Sequence, residues 1–114
     1  THFCLTVAEK LKKEHNWDVE VIDIRSLIPL DTETIFASVK KTSKVLIVHE
    51  DKVFSGFGAE IAGIIGTEMF RYLDAPIQRV GSTFTPVGFH PVLEKAILPG
   101  EERIYNAAKA LLEY

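Results

Sequence analysis

A run of four apolar residues, Val45–Val48, constrains the fold of this chain more than any other feature of its sequence. A strand with one face in water alternates apolar and polar residues, whereas an unbroken apolar strand is covered on both faces. Helical patterns flank the run on both sides. The first follows Asp31, a good N-cap residue, and the second covers roughly residues 59–73. The run therefore predicts a strand of a parallel sheet that lies between two layers of helices.

Further elements extend the alternation of helices and strands. Residues 1–14 read as a helix with an apolar stripe at Phe3, Val7 and Leu11. The segment 18–24 is β-branched and alternating, and Ile77–Val80 is a third short strand. A last helix begins at Glu101. The pattern predicts one domain over residues 1–114, an α/β fold of three layers (α/β/α) with a mostly parallel sheet.

The first helix has an apolar stripe but no strand before it, although a helix in this architecture covers a sheet. We therefore expect an opening strand on the N-terminal side of Thr1 and interpret the 114 residues as a fragment of a longer enzyme. Gly63 and Gly66 lie three apart in the 59–73 helix, which predicts close packing of that helix against a neighbour.

Composition excludes several classes of function. With 13 basic and 16 acidic residues the net charge is −3, so no basic surface for nucleic acid is expected. No apolar run approaches the roughly 20 residues that cross a membrane. The single cysteine, Cys4, permits no internal disulfide and lies on the apolar stripe, where an inert thiol is expected. We predict a cytoplasmic protein on these grounds.

Polar residues follow the predicted strands, and in open parallel sheets ligands bind beyond the carboxyl ends of the strands. Arg25 and Ser26 follow one strand, His49, Glu50 and Asp51 the next, and Gly81 and Ser82 the third. Four interpretations of the Arg25, Glu50 and Asp51 cluster stay open. Arg25 could pair with either carboxylate and order the loops, or the cluster could contact another domain. The cluster could also bind a small ligand, or Asp51 could be a phosphoacceptor of the receiver type.

The Gly56-Phe57-Gly58 sequence opens a helix after a strand, as a dinucleotide fingerprint does. Ile61 occupies the place of the third glycine, and Glu60 would repel a phosphate. A tight loop-to-helix turn is therefore the favoured interpretation. The histidines are scattered and have no zinc-site spacing, so no metal site is predicted.

Four blocks together resemble the C-terminal domain of the transketolase superfamily, in particular that of the β subunits of thiamine-diphosphate-dependent 2-oxo acid dehydrogenases. The pyruvate and branched-chain (2-oxoisovalerate) branches are the most similar. The blocks are Val21–Asp31, the Val48–Asp51 stretch with Gly56–Ile61, Leu73–Val80, and Leu93-Glu94 with Leu98-Pro99. Ser55 replaces a family glycine. Pro86-Val87-Gly88-Phe89 departs from the family's Pro-x-Pro, which puts any loop-specific role of that segment in doubt.

The resemblance implies that the parent enzyme oxidatively decarboxylates a 2-oxo acid with thiamine diphosphate and Mg²⁺, and acylates the lipoyl groups of an acyltransferase core. No Gly-Asp-Gly metal motif occurs here, so no catalytic, cofactor-binding or metal residue is assigned, and no CO₂ release is expected from this chain alone. The resemblance implies an assembly domain in a multienzyme complex, with a dimer contact and docking of the acyltransferase near the C-terminus. Candidate docking residues are Glu101, Glu102, Glu113 and Tyr114.

Two alternatives to this function stay open. The chain could be the C-terminal domain of another member of the superfamily, such as transketolase or deoxyxylulose-phosphate synthase. It could also be a self-standing α/β domain that binds a small ligand through Arg25, Glu50 and Asp51. Neither alternative needs nucleic acid or a membrane.

Overall fold

The computed structural model describes residues 1–82, 92 and 98–114. Four α-helices and two strands are defined there: α1 (His2–His15), α2 (Thr32–Thr42), β1 (Leu46–Lys52), α3 (Phe57–Glu68), β2 (Gln78–Ser82) and α4 (Glu101–Glu113). A single 3₁₀ turn, Phe70–Tyr72, follows α3. The predictions that concern Pro86–Phe89 and Leu93-Glu94 fall outside the described residues.

The two strands pair in parallel, with Leu46 opposite Gln78 and Val48 opposite Val80. Side chains of the apolar run alternate between the two faces of the sheet, as strand geometry requires. Leu46 and Val48 pack in a cluster with α1 and α4, whereas Val45 and Ile47 pack in a second cluster with α2 and α3. The predicted α/β fold, with a parallel sheet between helices, is therefore confirmed.

Each face of the sheet has its own buried core. On one face α1 and α4 meet over β2, and the buried members are Val7, Leu11, Val80, Ile104 and Ala108. On the other face α2 and α3 supply Ile35, Val39, Ile61, Ile65 and Met69. Leu11 and Ile65 are the largest side chains that are fully buried, one in each core.

Local signals set the helix ends. The Asp31 carboxylate accepts hydrogen bonds from the Thr34 backbone N–H at 3.1 Å and the Thr34 hydroxyl at 2.6 Å, which confirms the predicted N-cap of α2. These bonds lower the pKa of the Asp31 carboxyl below its ordinary value, because they favour the charged form. The helix predicted over residues 59–73 is too long at its C-terminal end. α3 ends at Glu68, and the Tyr72 N–H then donates to the Met69 carbonyl in a tighter turn.

Two predictions are wrong, one about a strand and one about the packing of a helix. Residues 18–24 form no strand, because their backbone makes no hydrogen bond to any other described residue and the sheet there has two strands. The extended segment is tied down by side chains instead, through Asp18 to Lys12 (2.8 Å) and Glu20 to Ser38 (2.8 Å). A Cβ atom added at Gly63 or Gly66 would meet nothing within 4 Å, so these glycines do not mediate close packing.

Candidate functional site

The edge of the sheet where β1 and β2 end carries most of the polar residues that the sequence singled out. β1 continues through Lys52, so His49, Glu50 and Asp51 lie within the strand and not beyond it. The register with β2 shifts between Val48 and Lys52. This irregularity lies directly beside the three polar residues.

Arg25 is directed away from the carboxylates that were expected to pair with it. Its Nε atom lies 3.5 Å from Asp23 Oδ2, and its side chain is 88% exposed. In an extended segment, residues two apart share a face, which explains why Asp23 is the partner. Among the described residues Arg25 makes no ion pair or hydrogen bond with Glu50 or Asp51. The predicted cluster is therefore not assembled by direct contacts.

Asp23 is held by two partners. The Thr1 hydroxyl donates to Asp23 Oδ1 at 2.7 Å, and Arg25 lies on the other carboxylate oxygen. The hydrogen bond from Thr1, followed by the bond and charge of Arg25, lowers the pKa of the Asp23 carboxyl. These contacts tie the start of α1 to the end of the 18–24 segment.

Asp51 and Glu50 each have a local structural role. The Asp51 carboxylate accepts a hydrogen bond from the Lys52 backbone N–H at 2.7 Å. The Glu50 carbonyl accepts one from the Ser82 hydroxyl, which fastens β1 to the end of β2. Both side chains are exposed to solvent. No group of three His, Cys, Asp or Glu side chains in the described part of the chain could hold a metal ion, so these residues do not fit Mg²⁺.

His49 is the best-defined polar group at this edge. The sequence placed it among the polar residues that follow the strands but gave it no role of its own. Its ring lies against three glycines. A Cβ atom at Gly58 would be 2.4 Å from His49 Cδ2 and Nε2, at Gly81 2.8 Å from Cε1, and at Gly56 3.0 Å from Cε1. Both ring nitrogens are buried and have no hydrogen-bond partner among the described residues. Gly56 and Gly58, which follow β1, were the only local sign in the sequence of a ring packed at this place. Gly81, the third glycine of the contact, is remote in sequence and gave no such sign.

Two arginines fix the loops around this glycine cradle of Gly56, Gly58 and Gly81. Arg79 donates to the Val53 carbonyl at 2.9 Å, and Arg103 of α4 donates to the Gly81 carbonyl at 2.8 Å. Hydrogen bonds from charged donors are stronger than neutral ones. The cradle is thus a packed structural unit, in which the His49 imidazole lies against the glycines.

The candidate docking residues lie at opposite ends of α4. Glu101 and Glu102 are in its first turn, where carboxylates interact favourably with the helix dipole. Glu113 lies at the other end, 3.9 Å from Lys109, and Tyr114 is 74% exposed. Since a helix rises about 1.5 Å per residue, the two ends are about 18 Å apart. The four residues therefore make two separate surfaces.

None of the α-helices among the described residues is long and apolar enough to cross a membrane.

Residues 1–104 match the family model described as "Transketolase, C-terminal domain". The chain is 46% identical over 107 residues to the pyruvate dehydrogenase E1 component subunit beta of Rickettsia felis, covering 94% of this chain and 33% of that protein.

The 2-oxoisovalerate dehydrogenase subunit beta of Pseudomonas aeruginosa is 44% identical over 107 residues, or 94% of this chain and 30% of the relative. The 3-methyl-2-oxobutanoate dehydrogenase subunit beta of Mycobacterium tuberculosis is 40% identical over 109 residues, or 95% and 31%. The chain spans about a third of the length of these relatives.

Proposed function

Because the chain belongs to the transketolase C-terminal domain family, we propose that it is the C-terminal assembly domain of the β subunit of a 2-oxo acid dehydrogenase. The observation that carries this proposal is an identity of 40–46% to β subunits of this kind over nearly the whole chain. The arrangement of the site agrees with an assembly role, because its polar groups are used to fasten strands and loops.

In this proposal the parent enzyme decarboxylates a 2-oxo acid oxidatively and acylates a lipoyl group. Thiamine diphosphate supplies the means of stabilising the carbanion when it is bound, and Mg²⁺ would hold its diphosphate. The described residues of this chain offer no ligand set for that ion. Both groups are therefore assigned to other parts of the parent enzyme, and no reaction step is assigned to this chain.

A turnover assay tests whether the decarboxylation depends on parts of the parent enzyme outside this chain. The purified chain, supplied with thiamine diphosphate, Mg²⁺ and either pyruvate or 2-oxoisovalerate, is expected to release no CO₂ above a protein-free control. The full-length β subunit with its α subunit is the positive control. CO₂ release by the chain alone would contradict the proposal.

Acyltransferase docking is proposed at the two ends of α4. A basic partner would be attracted to Glu101 and Glu102 at one end, or to Glu113 and Tyr114 at the other. The separation of about 18 Å along the helix lets single variants distinguish the two ends. Binding of the acyltransferase's small binding domain can be measured by calorimetry at two salt concentrations.

The matched control for Glu102→Gln is Glu33→Gln, because Glu33 is also exposed in the first turn of a helix. Glu102→Gln is expected to weaken binding severalfold and to lower its salt dependence, whereas Glu33→Gln leaves both unchanged. Tyr114→Ala tests the other end. Equal binding by all three variants and the unsubstituted chain would exclude both ends of α4 as the docking surface.

A subunit contact is proposed at the loop that follows residues 18–24. Ile28 is 90% exposed and Leu27 is 46% exposed, and exposed apolar patches commonly mark interaction surfaces. Ile28→Asp is expected to shift sedimentation toward the monomer. Phe70→Asp is the control, because Phe70 is also exposed but lies before β2, toward the opposite edge of the sheet. Identical sedimentation of Ile28→Asp and the unsubstituted chain would exclude this loop.

A further inference from the structure

The last turn of α4 has no basic residue of its own. Cations are favourable at the C-terminal end of a helix, where the carbonyl groups have no partner within the helix. α1 follows this rule, with Lys12 and Lys13 in its last turn. Lys40 and Lys41 lie at the same place in α2. The last carbonyl groups of α4, in contrast, are left to a partner from another element.

A lysine that is remote in the sequence supplies the missing cation. Lys44, in the loop between α2 and β1, donates a hydrogen bond from Nζ to the Leu112 carbonyl oxygen at 3.2 Å. The two residues are 68 positions apart, and both are partly buried. Lysine side chains can satisfy the last carbonyl groups of a helix in this way. Lys44 therefore does for α4 what the lysines of α1 and α2 do for their own helices.

The backbone is fixed on both sides of Lys44. The Ser43 carbonyl accepts a hydrogen bond from the Asp74 N–H at 2.8 Å, and the Val45 carbonyl accepts one from the Gln78 N–H at 3.0 Å. Both donors belong to the connection that leads into β2. A side chain on a fixed backbone holds its partner in a defined geometry. Lys44 is therefore a rigid support for the end of α4.

We propose that Lys44 is a positioning residue for the docking surface at the C-terminal end of α4, an inference that rests on the docking proposed above. Glu113 and Tyr114 directly follow the carbonyl group that Lys44 holds, and both are exposed. A carboxylate pairs with the basic side chains of a partner, and an aromatic ring binds them through cation–π contact. A surface that is ordered before binding loses less conformational entropy on binding. Lys44 thus prepares these two side chains for a basic partner.

The charge of Lys44 and its hydrogen bond have opposite effects on the binding of a basic partner. The charge repels such a partner, so its removal alone would tighten binding, mainly through faster association. Loss of the hydrogen bond lets the last turn of α4 fray, and the complex then dissociates faster. The direction of the change in affinity therefore distinguishes a positioning role from an electrostatic one.

The test uses the parent β subunit assembled with its α subunit, and the small binding domain of the acyltransferase as the probe. Lys44→Met keeps most of the apolar stem of the side chain and removes the amine. It is expected to raise the dissociation constant about three- to tenfold, which corresponds to the loss of one ordinary hydrogen bond, chiefly through faster dissociation. Lys44→Arg restores a charged donor and is expected to bind within about twofold of the unsubstituted enzyme.

The matched control is Lys41→Met, which removes the same charge three residues earlier. Lys41 pairs with Glu20 at 3.7 Å and makes no hydrogen bond or ion pair with the described residues of α4. This variant is expected not to weaken binding. Amide exchange of residues 111–114 should become severalfold faster in Lys44→Met and stay unchanged in Lys41→Met, while β1 keeps its protection in both variants.

Tyr114→Ala separates failure of this inference from failure of the proposed docking. If Tyr114→Ala weakens binding but Lys44→Met leaves it unchanged or tightens it, Lys44 does not position the surface. If neither variant changes binding, docking at this end of α4 is itself wrong. A Lys44→Arg variant as weak as Lys44→Met would also refute the role of the hydrogen bond. Faster exchange in β1 as well as in α4 would show that Lys44 supports the whole fold, and this result too would overturn the proposal.

Discussion

The glycine cradle around His49 leads to a sharp prediction about Gly58. A Cβ atom at this position would lie 2.4 Å from two atoms of the imidazole ring and 3.2 Å from Ile47 Cγ2, whereas ordinary contacts begin near 3.4 Å. Overpacking a well-packed site costs about 1–3 kcal/mol. Replacing a helical glycine by alanine gains at most about 1 kcal/mol. Because these two effects oppose each other, Gly58→Ala is expected to lower the free energy of unfolding by up to about 2 kcal/mol.

Gly63 and Gly66 are matched controls in the same helix. A Cβ atom at either position meets nothing within 4 Å, so only the helix-propensity gain remains. Gly63→Ala and Gly66→Ala are expected to raise the free energy of unfolding by up to about 1 kcal/mol. Urea denaturation followed by circular dichroism measures all three variants, with the slope of the transition as a check for two-state behaviour.

A double-mutant cycle tests whether contact with the His49 ring causes the destabilisation by Gly58→Ala. In a His49→Ala background the ring is gone and only the 3.2 Å contact with Ile47 Cγ2 remains. Most of the destabilisation by Gly58→Ala is therefore expected to disappear. The coupling energy between residues 49 and 58 should be about 1–3 kcal/mol, the range found for residues in contact. The reasoning is refuted if Gly58→Ala stabilises the unsubstituted chain, or if its destabilisation persists unchanged when His49 is alanine.

Three further predictions concern the cores, the cap and the thiol. Leu11→Ala and Ile65→Ala should each lower the free energy of unfolding by about 2–5 kcal/mol, measured by urea denaturation, because both side chains are fully buried. The folded-state pKa of Asp31 is lowered by its bonds to Thr34, so its stabilising effect is present above the unfolded-state pKa and lost as pH falls through the folded-state pKa. Asp31→Asn should flatten that part of a stability-against-pH curve. Burial raises the pKa of the Cys4 thiol, so its labelling at neutral pH should be slower in the folded chain than in urea.

Sequence patterns predicted those features that depend on neighbours along the chain. The run Val45–Val48 sends alternate side chains into two cores because strand geometry alone decides their directions. The Asp31 cap needs only a backbone N–H three residues away. Residues 18–24 have the composition of a strand, but a strand also needs a partner backbone. No local pattern contains that partner, and the segment is correspondingly unpaired.

The glycines at 56 and 58 show why the site itself was harder to predict than the fold. A phosphate bound at a helix N-terminus needs open space above the first N–H groups, and glycines after a strand are a signature of such space. Here a Cβ atom at Gly58 would meet the His49 ring at 2.4 Å, one at Gly56 would meet the Lys52 carbonyl oxygen at 2.0 Å, and one at Gly81 would lie 2.8 Å from the same ring. Gly81 belongs to β2, and only the parallel pairing of β2 with β1 brings it to the ring. A pattern of two nearby glycines therefore fits both interpretations, and the packing of the His49 ring against Gly58, which no local pattern specifies, favours the structural one.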